Sequence, residues 1–324
     1  MDLKVSLKND VEGNPNRYGI PYQGSKSKLI AKIAGLFPKA NNFYDVFGGG
    51  FSVTHYMLEN KIKNYKQFHF NEIRPGICEL VKDAIDGKYN EKVFKPEWID
   101  KEKFNKEKDF NAYIKIIWSF GNNGKGYLFG DDISEEKKSM HNAVVFNDFS
   151  KTFIDIFGID KWPSGLSVYG KRLMIRRKCV QLKNKYGGQA ANLLQQLQQL
   201  QQLQQLQQLQ QLEQLQQLIS FTSLDYRKIE IKENSVIYCD IPYKGTADYG
   251  NLFSHKEFFD WADSQKNPVF ISEYDIEDKR FYLLKAIEHR GTFSGGLGEK
   301  KLEKVYGNKI ARDILFELKR KQNV

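Results

Sequence analysis

Apolar and polar positions along residues 18–85 switch repeatedly between a helical and a strand-like period. Helical spacing over residues 26–37 is followed by a short apolar run at 42–46 that ends in glycines. A helix over 53–61, a strand over 67–70 and a helix over 76–86 come next. Such alternation predicts a parallel sheet with crossover helices. The same style returns after residue 220, with a buried strand at 235–239, a helix at 256–262 and a strand at 268–272. Residues 281–288 and 304–310 read as arms of a closing hairpin, joined through GTFSGGLG, which reads as a mobile loop. The pattern predicts one α/β domain made of residues 1–86 and 220–324, with residues 87–219 inserted into it.

The inserted stretch has a different texture. Up to residue 110 it mixes Lys, Glu and Asp as a solvated helical face does, whereas residues 161–212 hold no acid at all. Within that acid-free window Lys171, Arg172, Arg176, Arg177, Lys178, Lys183 and Lys185 cluster between Tyr169 and Tyr186. An uncompensated basic run with aromatics predicts a surface that contacts phosphates, although such a run also suits a solvated face. Residues 193–218 are a Leu-Gln-Gln tract of good helix formers, which predicts one helix of about 26 residues, roughly 39 Å long. Its leucines recur every third residue and would step back about 60° each time around an α-helix, so they cannot form one coiled-coil seam. A projecting helix and a marginally ordered segment both fit, as do the roles of spacer, dimer contact and tolerated expansion. The segment SFGNNGKGYLFG, residues 119–130, suits equally a loop near DNA or cofactor and a plain connecting turn.

Composition narrows the partners. Fifty Lys and Arg against 40 Asp and Glu leave a net charge of +10 in 324 residues, which favours a polyanionic partner such as nucleic acid. Cys78, Cys179 and Cys239 are odd in number and widely spaced, so neither a disulfide framework nor a zinc site is expected, and the setting is read as reduced and intracellular. The five histidines show no ligand spacing and read as structural, and no metal is expected. No run of about 18 apolar residues occurs and the first residues lack a signal-peptide core, so a soluble, cytoplasmic protein is expected.

Three motifs carry chemistry. YDVFGGGFSV, residues 44–53, runs a strand into Gly48, Gly49 and Gly50 and then a helix, a layout that lets backbone approach a ligand, though tight turns share it. FHFNEI places Glu72 at the next strand end, about 20 residues on, where an acid can accept both ribose hydroxyls. Glu72 also suits the N-terminus of a helix. Together these two motifs suggest a nucleoside-containing cofactor. VIYCDIPYKGT, residues 236–246, sets Asp240 at the carboxyl end of an apolar strand, followed by Ile241, Pro242 and Tyr243. Pro242 and Gly245 also suit a turn, but a turn needs neither the carboxylate nor the ring. The lone pair of an exocyclic amine on a base is delocalised into the ring, and acceptors on its two N–H groups direct it toward an electrophile. Asp240 and the Ile241 carbonyl can be those acceptors while Tyr243 stacks on the base outside the duplex. The third motif, YGIPYQGSKSKLI at residues 18–30, says little alone.

In this order YQGSK, FGGGFSV, the acid of FHFNEI, DIPY and ISEY resemble the Dam-like, D12-class adenine-N6 DNA methyltransferases, phage members included. The resemblance spans residues 18–85 and 220–310. It implies a doubly wound, Rossmann-like methyltransferase domain that uses S-adenosylmethionine, with a mainly helical target-recognition region between the glycine loop and DIPY. By motif it implies cofactor contacts at Tyr22, Lys26, Phe47, Gly48, Gly49 and Gly50 and a ribose contact at Glu72. It also implies an adenine contact at the Asp225 carboxylate and Tyr226 N–H, catalysis by Asp240 and Tyr243 with Asp240 also near the methionine end, and residues 270–274 beside the target pocket. Ile241 stands where the family has proline and Phe51 where many members have glycine. Cytosine-N4 methylation and a DNA-binding protein that has lost catalysis are the alternatives.

Overall fold

The computed structural model describes residues 18–188, 197–243, 253–290 and 300–322. Seven strands form one sheet: β1 (Asn42–Asp45), β2 (Gln67–Asn71), β3 (Ile219–Thr222), β4 (Ser235–Asp240), β5 (Val269–Glu273), β6 (Tyr282–Arg290) and β7 (Lys300–Gly307). Their order is β3-β2-β1-β4-β5-β7-β6. Strands β1 to β5 are parallel, and β7 runs against both of its neighbours. From β1 the chain moves outward to β2 and β3 and then returns to the other side of β1 as β4. A crevice therefore opens between the carboxyl ends of β1 and β4, the place where open α/β sheets take ligands.

Strands β1, β4 and β5 are buried along almost their whole length because both faces of the sheet are covered. Alternate residues go to opposite faces: Phe43, Val236, Tyr238 and Phe270 join one buried cluster, and Tyr44, Ile237, Cys239 and Ile271 the other. The helices are α1 (Ile30–Ile33), α2 (Ser52–Lys61), α3 (Ile77–Ile85), α4 (Lys101–Glu107), α5 (Ala112–Ile117), α6 (Ser134–Phe146), α7 (Lys151–Phe157), α8 (Val168–Tyr186), α9 (Gln198–Gln208), α10 (His255–Ser264) and α11 (Lys309–Gln322). The first cluster runs on from the sheet through Trp118, Met140 and Phe153, so the helical stretch between α3 and β3 shares the core of the sheet.

Two sequence expectations need correction. The helix expected over residues 26–37 is only the single turn α1 followed by a 3-10 turn at Ala34–Leu36. Lys26 is drawn away into a long-range ion pair, and its backbone N–H donates to the Ser52 hydroxyl. The second correction concerns the Leu-Gln-Gln tract, which is neither one α-helix nor a projection. From residue 197 onward it is α9 and then a ten-residue 3-10 helix, Leu209–Leu218, and residues 193–196 lie outside the described residues.

A 3-10 helix has three residues per turn, so over Leu209–Leu218 the period-three leucines fall on one line. There Leu209 and Leu212 are buried, and Leu215 and Leu218 pack partly buried against the first cluster. Along α9 and its cap Leu197, Leu200, Leu203 and Leu206 are buried in the same cluster, with Gln199 and Gln205 buried as well because the α-helical turn does not match the repeat. The glutamines tie the tract to its surroundings. Gln199 bonds His141 Nδ1, Gln205 donates to the Gly19 carbonyl, Gln207 to the Tyr89 carbonyl and Gln211 to Glu59. The loop GTFSGGLG lies outside the described residues. Segment 119–130 is a tight loop closed by a Ser119–Tyr127 bridge and by the Gly124 N–H on the Ser119 hydroxyl.

Candidate active site

The loop after β1 is held open by steric necessity. A Cβ on Gly48 would sit 2.1 Å from the Phe70 ring, and one on Gly50 would sit 2.4 Å from Tyr22 Cβ. Phe51 takes the left-handed conformation at φ 67°. That costs about 1–2 kcal/mol in an L-residue. Full burial of the ring against Phe70, 5.0 Å between centroids, and against Phe221 offsets the strain and keeps the turn.

Glu72 follows β2 and is buried. Its Oε2 accepts the Gly49 N–H at 2.7 Å, and its Oε1 accepts both the N–H and Nε–H of Arg74. The Arg74 guanidinium lies 4.5 Å over the Tyr22 ring, so Tyr22, Gly49 and Glu72 are gathered at one place. Asn71, which the sequence reading passed over, locks three chain segments together. Its Nδ2 donates to the Val46 and Leu224 carbonyls, while its Oδ1 accepts from the Leu224 N–H and the Thr222 hydroxyl. This brings the segment bearing Asp225 and Tyr226 beside the glycine loop, where Phe47 packs 5.6 Å from the Tyr226 ring. The Asp225 carboxylate is engaged by Arg227 through both oxygens, and that hydrogen-bonded pairing holds it below the usual carboxylate range.

The densest polar group lies at the carboxyl end of β4. Lys26 Nζ sits 2.8 Å from Asp240 Oδ1 and 3.7 Å from Glu303 Oε1. Tyr243 donates its hydroxyl to Glu303 Oε1 at 2.6 Å, packs edge-on against Tyr274 at 4.5 Å and has the Lys26 ammonium 4.9 Å from its ring centre. Burial pushes Asp240 up to about 6, with Lys26 opposing and Glu303 reinforcing the rise. Burial works to lower Lys26, but the charges of Asp240 and Glu303 outweigh it and hold the ammonium above its ordinary value. Burial, with the two carboxylates adding to it, drives the Tyr243 phenol far above its ordinary value, so it is neutral and a donor.

Asp45, at the end of β1, is pushed up to about 7 by burial. Its Oδ2 accepts the Thr54 hydroxyl, and its buried Oδ1 has no hydrogen-bond partner among the described residues. The Ile241 side chain is buried in the second cluster. His255 Nε2 bonds the Pro242 carbonyl at 2.9 Å and steadies the turn after β4.

Of the residues the motifs singled out, Lys26, Asp240 and Tyr243 form one constellation, and Tyr22, Gly49 and Glu72 another. The basic run forms part of α8. Arg176, Arg177 and Lys183 are exposed and Lys178 is half-buried. Lys171 instead donates to the Val144 carbonyl and Asn147, and Arg172 to Gln204, so these two are taken up by the protein itself. Lys185 lies near the end of α8. Asp45 and Glu303 were not singled out. For Asp45 a signal existed, an acid between the apolar run and the glycines. For Glu303 there was none, because LEK in a charged hairpin reads as a wet edge.

A sheet of this order with one reversed strand, a glycine loop after β1 and an acid after β2 defines a Rossmann-like α/β methyltransferase dependent on S-adenosylmethionine. The family model of D12 class N6 adenine-specific DNA methyltransferases matches residues 22–284, and the chain belongs to that family. It is an enzyme that transfers a methyl group from S-adenosylmethionine to the N6 position of adenine in DNA. Comparison with curated proteins gives no significant match. Among the described residues no helix is long and apolar enough to cross a membrane.

The residues fit this cofactor. A buried acid stands beside the glycine loop for the ribose, the Asp45 Oδ1 has no hydrogen-bond partner among the described residues, and the carboxylates of Asp45, Asp240 and Glu303 outnumber Lys26, which suits a cationic sulfonium and ammonium.

Proposed function

We propose that the target adenine is turned out of the duplex and held at the carboxyl end of β4, with Asp240 and the Ile241 carbonyl accepting its two N6–H groups and Tyr243 packed on its ring. Base stacking of this kind is worth roughly 1–3 kcal/mol and extrusion costs a few, so the ring approximately offsets the flip. Glu72 takes the ribose hydroxyls, with Tyr22, Lys26 and the backbone of Phe47, Gly48, Gly49 and Gly50 around the rest of the cofactor. Asp225 and the Tyr226 N–H meet its adenine, for which Asp225 shares the carboxylate it now gives to Arg227. When bound, the cofactor supplies an electrophilic methyl on sulfur, and the protein aims the amine at it in line. The acceptors raise electron density on N6, whose lone pair would form the new carbon–nitrogen bond as the carbon–sulfur bond breaks to leave S-adenosylhomocysteine, and the N6 proton then released would pass to Asp240 or to water.

In this reading residues 1–86 and 220–324 are the catalytic part and residues 87–219 the target-recognition part. Arg176, Arg177, Lys178 and Lys183 on α8 meet phosphates, and Lys185 belongs to the same basic run. The setting is the cytoplasm of a bacterial or phage-infected cell. The single observation that carries the reading is the buried Lys26–Asp240–Glu303–Tyr243 group at the switch point of the sheet. Labelled S-adenosylmethionine with mixed-sequence duplex DNA tests it. Label is expected in N6-methyladenine, and 2-aminopurine at the target position is expected to brighten on binding. Label in N4-methylcytosine, or tight DNA binding without transfer, would overturn the reading.

A further inference from the structure

We infer that Glu303 is a positioning residue for methyl transfer: its carboxylate fixes the Tyr243 ring through the phenol hydroxyl and shares Lys26 with Asp240, so that acid and ring meet the target base in register. The inference rests on the reading that Asp240 and Tyr243 hold that base.

Glu303 lies on β7 and is 3% exposed, and along that strand it shares the inward side with Val305, a site an apolar residue would ordinarily fill. A buried carboxylate is costly unless it is hydrogen-bonded and paired. Here both conditions are met by residues of the reaction centre, through the 2.6 Å bond from Tyr243 and the ammonium of Lys26 at 3.7 Å. Tyr243 follows the last residue of β4 closely, and its ring is met from across the sheet by Glu303, through the phenol hydroxyl, and by the edge-on Tyr274. A misplacement of about 1 Å in such a group can cost 10²-fold in rate.

The second effect is electrostatic. The titratable groups around Asp240 are Lys26 ahead of α1, Glu303 on β7, Tyr238 on β4, Tyr243 after it, and Asp45 on β1. Of these, Glu303 is the carboxylate that raises Asp240 directly and competes for the same ammonium. Replacing it by an uncharged residue leaves Lys26 to Asp240 alone, so Asp240 ionises at lower pH.

The test compares Glu303→Gln with Glu303→Ala in the full-length protein, using labelled S-adenosylmethionine and duplex DNA. Glu303→Gln keeps an acceptor for the Tyr243 hydroxyl and is expected to retain kcat within about tenfold, with the acid limb of its pH–kcat profile displaced to lower pH. Glu303→Ala is expected to lose roughly 10²-fold in kcat, with KM for S-adenosylmethionine changed by less than about threefold. In a Tyr243→Phe background, the loss on Glu303→Ala should shrink, since the shared hydrogen bond is already gone. An unchanged kcat in Glu303→Ala overturns the inference. So does equal loss in both variants with an unmoved acid limb, the result a merely structural residue would give. Asp240→Ala, assayed alongside, separates the two layers: full activity there sinks the reading of Asp240, whereas an inactive Asp240→Ala beside a fully active Glu303→Ala sinks only the role of Glu303.

Discussion

The crevice at the ends of β1 and β4 and the Leu-Gln-Gln tract are built by opposite means. In the crevice few residues are repeated, and each buried polar group is specified by identity and charge: Lys26 answers Asp240 and Glu303, Asn71 satisfies four backbone and hydroxyl partners, and Glu72 takes the Gly49 N–H. In the tract two residue types recur, and position alone distinguishes a leucine in the core from a glutamine that reaches Gly19 or one left in solvent. The first region shows where chemistry demands particular side chains. The second shows that a two-residue repeat can supply core leucines through an α-helix and then through a 3-10 helix whose three-residue turn matches the repeat.

Substitutions should separate the two regions by what they disturb. The largest effect is expected from Asp240→Ala, which should lower the methyl-transfer rate by about 10²–10⁴-fold while leaving DNA binding and the thermal midpoint close to those of the parent. Filter binding and melting curves beside the label assay check this, and a variant that simply unfolds would make the crevice a stability element like the tract. Leu206→Ala is expected to do the reverse. Leu206 is fully buried in the main cluster, so truncation should cost about 2–5 kcal/mol in denaturant unfolding. A loss below about 1 kcal/mol would mean the leucine line is not core.

A third test uses acid. Burial lowers His141 to about 4, its Nε2–H donates to the Pro96 carbonyl, and its Nδ1 accepts from Gln199 of the tract. With a folded pKa below the unfolded value near 6.5, the stability it contributes is present above about 6.5 and is lost as pH falls through about 4. The upper bound is on the order of 3 kcal/mol. His69, lowered to about 4 chiefly by burial, acts in the same direction. Asp45 and Asp240, raised by burial to about 7 and about 6, act the other way and stabilise the fold as pH drops. The advantage of the parent over His141→Gln should therefore shrink between pH 7 and pH 4 in urea melts, and a constant gap would contradict the assignment. The smallest effect is expected from Gln205→Ala, about 1 kcal/mol from the bond to the Gly19 carbonyl, with kcat unchanged.

Where neighbouring residues share a fate, the sequence was readable. Strands β2 and β4 and helices α2 and α10 fall within a residue or two of their expected limits: β4 is buried on both faces and so is apolar along most of its length, whereas β2 alternates buried phenylalanines with half-buried polar residues. DIPY was legible as a site because an acid and a ring at a strand end have no structural need. Residues 26–37 were misread because helical spacing there competes with the pull of Asp240 on Lys26, a contact no local pattern carries. The tract was misread because period three was judged against an α-helix. Glu303 escaped notice because an acid between Leu302 and Lys304 looks solvated until β7 turns it inward beside Tyr243.

By itself, then, the sequence determined β1, β2, β4 and β5, helices α2, α3 and α10, the glycine loop, the acid after β2 and the acid and ring after β4, since each follows from local periodicity or from residue types adjacent in the chain. Strand β3 and helix α11 were not read from it, and the hairpin arm expected over 304–310 is β7 at Lys300–Gly307. Only the tertiary structure decided the partners of Asp240, the 3-10 path of the tract and the inward turn of Glu303. Those depend on which distant groups share a low-dielectric space, where a charge must find its counterpart or lose its proton.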